Sequence, residues 1–272
     1  MVKKQNVKKI VARSYLGLIL FLMYLPILVL VVYSFTVSDQ LGVWTGFSFE
    51  LYSDLIKNEA LVNATKNTVV IAITSAIVST ILGTFGAIGS FYASRKVKKA
   101  IDTATQLPVV NAEIVMALSL AVLFKGFNTS YSFATLLIGH VVLTVAFVYL
   151  NVKPKLAQMD PNIYEAALDL GSTPWHALFK VVLPEILPGI LSGFLISMTL
   201  SLDDFVITQY LKEPSFETIS TYIQKIVAKH PIPPEVRALS TIITVVVFAV
   251  VIGITVYNNK KAEKIMKYRG KK

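Results

Sequence analysis

The sequence predicts an all-α, polytopic membrane protein with six transmembrane helices. Three observations carry that prediction. Only 15% of the 272 residues are charged and 54% are hydrophobic, where a soluble domain carries about 25% charged residues. Six runs are long and apolar enough to cross a hydrocarbon layer of about 30 Å, which takes about 20 residues of helix. Lys and Arg are also unevenly shared among the connections between those runs.

The first span, about residues 15–35, is uncharged and follows a basic tail (Lys3, Lys4, Lys8, Lys9, Arg13). It exceeds the apolar region of about 7–15 residues in a secretory signal, and no Ala-x-Ala site follows, so a retained anchor is expected. The second, 67–94, carries Gly83, Gly86 and Gly89 at a spacing suited to close helix packing. The third, 107–124, is interrupted only by Glu113. The fourth, 128–151, holds His140, for which an interhelical hydrogen bond near Thr144 is expected in preference to a proton relay. The fifth, 186–211, holds Asp203 and Asp204, and the sixth, 238–259, is uncharged. Lipid offers the backbone no partners, so each span must be a helix.

Of 26 Lys and Arg residues, only Lys57, Lys66, Lys125, Lys212, Lys225, Lys229 and Arg237 fall on one side. The rest crowd into the two tails, residues 95–99 and the connection 153–185. The positive-inside rule then makes both tails and 153–185 cytoplasmic, with 37–66 and 212–237 outside. The net charge of +10 reflects lysines near anionic headgroups; no nucleic-acid partner is implied. Lack of cysteine removes disulfides and thiolate metal sites. Trp44, Phe47, Phe49 and Tyr52 in the first outside connection suit the headgroup level.

The connection 153–185 is too long for a turn, and long patterned loops are often functional. Its Tyr164-Glu165-Ala166-Ala167-Leu168-Asp169-Leu170 reads as a short helix, ended by Gly171 in a left-handed position. Thr173 before Pro174 reads as the cap and first turn of a second helix. The small residues Ala166, Ala167 and Gly171 would let another protein's backbone come close. Tyr164 and Trp175 suit either such a contact or the headgroups.

The order Glu165-Ala166-Ala167, Gly171, Val181 and Leu183-Pro184 resembles the EAA loop of binding-protein-dependent ABC import permeases, with Val for the usual Ile at 181. A closer resemblance runs from about Tyr15 to Tyr257. Through Asn111-Ala112-Glu113-Ile114-Val115-Met116-Ala117, Leu200-Ser201-Leu202-Asp203-Asp204 and Pro234-Glu235-Val236-Arg237-Ala238-Leu239, the chain is similar to the second permease subunit of spermidine/putrescine importers. It departs at 113, where that family has Asp. The resemblance implies an ABC type I importer permease (MetI-like) fold, with residues 1–272 as one transmembrane permease domain in a bacterial inner membrane. It implies that 153–185 is a coupling loop in which Glu165, Ala166, Ala167 and Gly171 meet an ATPase. The implied partners are a sister permease in a heterodimer, two ATP-binding subunits and an extracytoplasmic polyamine-binding protein. The chain itself has no glycine-rich phosphate loop, no metal-ligand spacing and no nucleophile–base pair. It is expected to be non-catalytic and without a cofactor, with Mg-ATP in the partner.

A cationic substrate is also suggested by the residues alone. A carboxylate in a span costs about 2.5–3.5 kcal/mol on insertion scales, so it tends to face a cavity or a partner. Glu113 is expected about 9 Å into the third span, and Asp203 and Asp204 roughly 24–26 Å along the fifth, at 1.5 Å per residue. That places negative charge at two depths, with no Lys or Arg in any span to answer it. Glu113, Asp203 and Asp204 are therefore the substrate-path candidates. The alternatives are that Asp203 or Asp204 caps a broken helix, and that Glu113 bonds the sister subunit or is neutral. Three other functions stay open: a permease for another small solute, an ion-coupled secondary transporter or channel using Glu113 or Asp203, and an intramembrane enzyme. The coupling loop and the lack of inverted repeats weigh against the secondary transporter. Asp203 and Asp204 point about 100° apart on a helix, which makes a poor acid–base pair.

Overall fold

The computed structural model describes residues 2–38, 42–160, 162–228, 233–249 and 252, with side chains from Arg13 onward. The described residues are helical or lie in connections, and they fall into two compact units. One comprises residues 1–62 with 229–272, the other residues 63–228.

In the first unit, α1 (Val2–Tyr33) is exposed from Arg13 to Leu30. An apolar helix exposed all round belongs in lipid. Beyond it the chain turns so that the Phe35 ring packs on Phe47, Phe49 and Tyr52. The Tyr52 hydroxyl, on α2 (Glu50–Lys57), meets Ser34 Oγ at 2.8 Å. The aromatics expected at the headgroups therefore form one cluster around Phe35, while Trp44 stands edge-on to Tyr33. The Arg237 guanidinium donates to the Ser38 carbonyl at 2.7 Å and to the Tyr33 carbonyl at 3.4 Å, tying the end of α1 to a helix over 235–249. That helix covers the first part of the expected sixth span. Apart from Ile252, residues 250–259 lie outside the described residues.

The second unit holds most of α3 (Glu59–Tyr92), then α4 (Arg95–Val110), α5 (Glu113–Gly126), α6 (Phe133–Gln158), α7 (Asn162–Asp169), α8 (Pro174–Ala177), α9 (Leu183–Asp203), α10 (Val206–Leu211) and α11 (Ile219–Val227). Among the described residues four helices are long and apolar enough to span: Arg13–Tyr33, Glu59–Tyr92, Phe133–Gln158 and Pro174–Asp203. The bent pair α4–α5 makes a fifth if taken as one span.

Val148 of α6 lies where three helices meet. A Cβ on Gly193 of α9 would stand 3.0 Å from Val148 Cα, and one on Gly83 of α3 would stand 2.7 Å from Val148 Cβ. One turn below Gly193, a Cβ on Gly189 would come within 2.9 Å of the Asn151 carbonyl. Gly189 and Gly193 thus form a small-xxx-small pair that lets α9 approach the α6 backbone, the packing that holds helices together where lipid removes the hydrophobic drive. Of the glycines expected to pack closely, Gly83 does. Gly86 reaches only 4.0 Å from Tyr149, and Gly89 meets nothing within 4 Å.

Two expected spans are broken. Leu107–Val110 finish α4 instead of starting the third span, and α5 leaves at 107° to α4. Pro108 denies α4 a backbone donor, and Asn111 and Ala112 are extended (ψ 146° and 131°), which turns the chain before Glu113. The fifth span starts earlier than expected, at Leu183, and stops at Asp203, where an extended Asp204 (ψ 130°) leads into α10. Between α8 and α9, residues Leu178–Val182 form a π turn, with Leu183 N–H bonded to the Leu178 carbonyl. The widened turn directly precedes Pro184, whose ring would crowd the carbonyl four residues back in a regular helix.

Candidate functional site

The two breaks face each other, and between them is a cavity of about 290 Å³. Pro108, Val109, Asn111 and Glu113 line it from the α4–α5 break, Leu143 and Phe147 from α6, and Thr199, Leu200, Asp203 and Asp204 from the end of α9. Glu113 is the first residue of α5, where the helix dipole favours a carboxylate. It is half-buried and shares the cavity lining with Asp203 and Asp204. The expectation of acidic groups at two separate depths is therefore corrected: Glu113, Asp203 and Asp204 share one cavity. Depth counted along uninterrupted helices fails here because both helices break at the acidic residues themselves.

The two aspartates differ sharply. Asp203 is exposed, whereas the Asp204 side chain is 0% exposed. Asp204 Oδ1 accepts from Ile207 N–H at 3.0 Å, and Oδ2 accepts from Thr208 N–H at 2.8 Å and Thr208 Oγ1 at 2.6 Å. It caps α10, satisfying donors that a helix start leaves free. This is the alternative role set out above for an aspartate at a broken helix. Thr208 continues the network to His140, whose Nε2 is 3.0 Å from Thr208 Oγ1 and whose Nδ1 is 2.7 Å from Ser201 Oγ. Ser75 Oγ of α3 donates to Ser201 Oγ at 2.9 Å. His140 thus makes interhelical hydrogen bonds, but to Ser201 and Thr208. Thr144 binds the His140 carbonyl, and its hydroxyl meets Ser79 Oγ at 2.7 Å.

The second candidate surface is the knob at α7–α8. Gly171 has φ +87°, and Ser172 N–H reaches back to the Ala167 carbonyl (3.1 Å) while Gly171 N–H reaches Leu168 (2.9 Å). That bond pair is a Schellman ending. The Thr173 side chain then caps α8, accepting from His176 N–H at 3.3 Å. Glu165, Ala166 and Gly171 are exposed and Ala167 half-buried. Around them stand apolar side chains open to their surroundings: Leu170 at 88%, Trp175 at 68% and Phe179 at 51% exposure, with Trp175 stacked on Phe179. Tyr164 instead turns inward against Tyr92. The sequence could not tell these two aromatics apart, and packing separates them.

One polar cluster was not foreseen. Asp102 of α4 accepts from Lys153 Nζ and from the Tyr149 hydroxyl, both on α6, and Ser90 Oγ lies 2.8 Å from the same hydroxyl. None of α4's residues is buried, so this polar cluster is a main attachment of α4 to α6. The four residues are scattered between 90 and 153, and no local spacing announces them.

Comparison with known proteins places these features in context. The family described as binding-protein-dependent transport system inner membrane component matches residues 79–262. Over 232 residues the chain is 34% identical to the spermidine/putrescine transport system permease protein PotC of Escherichia coli (strain K12), covering 85% of this chain and 87% of the relative. It is also 34% identical to the putrescine transport system permease protein PotI of the same strain, covering 81% of each. In fold it is similar to a chain of a bacterial ABC transporter involved in the import of the acidic polysaccharide alginate. That match has a TM-score of 0.69 and 18% identity, and covers 90% of this chain and 95% of the other.

Proposed function

The chain belongs to the family of binding-protein-dependent transport system inner membrane components, and we propose that it is one permease subunit of an ATP-driven importer that carries polyamines. The observation that carries the substrate class is the cavity: three carboxylates line it, and none of its lining residues is Lys or Arg. Carboxylates gathered at low dielectric repel one another, and a cation with several ammonium groups relieves that repulsion. A single ammonium–carboxylate contact at about 4 Å is worth roughly 4 kcal/mol at an effective dielectric near 20, before desolvation. Pro108, Val109, Leu143 and Leu200 offer apolar wall to methylenes, and the Phe147 ring offers a face to an ammonium group. Spermidine and putrescine, named for the relatives, have this alternation of charge and methylene. Asp203 and Glu113 touch the cation, and Asp204, a lining residue whose carboxylate is turned into the wall, adds its charge from there.

The remaining parts of the machine lie in other chains. A sister permease completes the pathway, an extracytoplasmic binding protein delivers the polyamine, and two ATP-binding subunits with Mg-ATP drive the cycle. This chain carries no phosphate loop and catalyses nothing. The exposed Leu170, Trp175 and Phe179 beside Ala166 and Gly171 suit burial in a groove of the ATPase. Both tails and the knob are cytoplasmic by the distribution of Lys and Arg. The test is Asp203→Asn, Glu113→Gln and Asp204→Asn, each made singly in the assembled importer and assayed for polyamine uptake at matched membrane levels. Asp203→Asn and Glu113→Gln should each cut uptake by about tenfold or more, a fraction of one Coulombic contact. Wild-type uptake by both would sink the cationic path.

A further inference from the structure

His140 is wholly buried, and the transport reading above gives it no task. A polar ring inside a span is tolerated only when its donors and acceptors are met, and here they are met in one direction. Thr208 has a single hydroxyl hydrogen, which goes to Asp204 Oδ2. Thr208 Oγ1 can therefore only accept from His140, so Nε2 carries a hydrogen. At the far side Ser201, itself receiving from Ser75, is left with its own hydrogen for Nδ1. The chain of bonds crosses α3, α9, α6 and α10 and ends on the carboxylate that caps α10. The residue before that carboxylate is Asp203, the last of α9 and part of the cavity wall.

We propose that His140 is a positioning residue for the acidic lip of the cavity. By donating to Thr208 it fixes the Thr208–Asp204 cap, and so fixes where α9 stops and where Asp203 presents its charge. The cation does not touch His140. The imidazole sets the geometry of the group that the cation does touch. This rests on the cation-path reading and adds to it a division of labour among buried and exposed polar residues. A Leu of similar bulk would fill the space and leave Ser201 and Thr208 without their partner. A Gln would supply one acceptor and one donor at nearly the same reach.

The test uses the complete importer in membrane vesicles. The chain has no cysteine, so Thr199→Cys, on the cavity lining, makes a single reporter thiol in this subunit. The measurement is the spermidine concentration that halves its labelling by a cationic thiol reagent. In the His140 background spermidine should protect the thiol; absence of protection there would overturn the cation path itself. With protection established, His140→Leu should raise the half-protecting concentration about tenfold, the loss expected when a hydrogen bond serving a charged group is removed. His140→Gln should bring it back to within about twofold of the parent. Thr208→Val, nearly isosteric, cuts the same link without emptying the site, so it serves if His140→Leu fails to assemble. It should raise the half-protecting concentration in the same direction, since it removes the hydroxyl that His140 donates to and that hydroxyl's own bond to Asp204, and leaves only the direct 3.4 Å approach of His140 Nε2 to Asp204 Oδ2. An unchanged half-protecting concentration in Thr208→Val, or a Gln variant as weak as Leu, would overturn the positioning role.

Discussion

Gly171 separates what a substitution does to this chain from what it does to a partner. Its φ of +87° lies where an L side chain is strained, at about 1–2 kcal/mol. That cost comes from the Cβ, so Ala and Leu share it, while Asn, which tolerates the left-handed region, carries less of it. A Cβ at Gly171 meets nothing within 4 Å among the described residues. Gly171 is exposed, so a further loss with Leu points to a surface docked on the knob, where overpacking of a close contact costs about 1–3 kcal/mol. The expected order follows. Gly171→Asn and Gly171→Ala reach the membrane and transport, with Ala slightly less abundant. Gly171→Leu reaches the membrane as Ala does but loses about tenfold or more in uptake, with ATP turnover no longer answering the loaded binding protein. The assay is uptake and ATPase stimulation in vesicles, normalised to the amount of this subunit. If Ala and Leu transport alike at equal abundance, the knob does not dock through Gly171.

Two further outcomes test packing and orientation. Gly193→Val should lower the thermal midpoint of the detergent-solubilised importer by several degrees, since its Cβ would stand 3.0 Å from the Val148 backbone. Gly126→Val, with nothing within 4 Å, is the control, and equal midpoints for the two would refute the α6–α9 contact. Single cysteines at Ser48 and Ser215 should react with an impermeant reagent in intact cells, and one at Ser172 should not. Reaction at 172 from outside would invert the topology.

Much of the fold was legible because lipid imposes a one-dimensional rule. Length and hydropathy alone find α1, α3, α6 and α9, since each must be apolar for about 20 residues. The α7–α8 knob was legible for a different reason: Gly171, Thr173 and Pro174 are residues whose conformational preferences act locally, and the φ of Gly171 and the Thr173 cap follow from them. Close packing was less so. Three glycines in α3 look alike in sequence, yet only Gly83 meets Val148, because which face of α3 turns to α6 depends on helices far along the chain. The Gly189–Gly193 pair is present as a small-xxx-small spacing, but the spacing alone does not say which helix it faces.

The site was legible in identity and illegible in arrangement. Glu113, Asp203 and Asp204 stand out because charge is rare in spans, but their convergence depends on two breaks that hydropathy does not register. Pro108 and Asn111 supply the first. The second has its cause in Asp204 itself: a carboxylate that accepts from the Ile207 and Thr208 amides competes with helix continuation. The residue that looked like a substrate ligand thus helps to make the break that places its neighbour. That also explains why adjacent, chemically identical aspartates divide into one exposed and one buried. Once one turns inward to cap α10, the extended backbone at Asp204 and the end of α9 at Asp203 leave the other on the cavity wall. The inward one is held by Ile207 and Thr208 of α10; behind Thr208 stand His140 of α6 and Ser201 of α9, whose pairing is a property of how those helices cross rather than of any spacing along the chain.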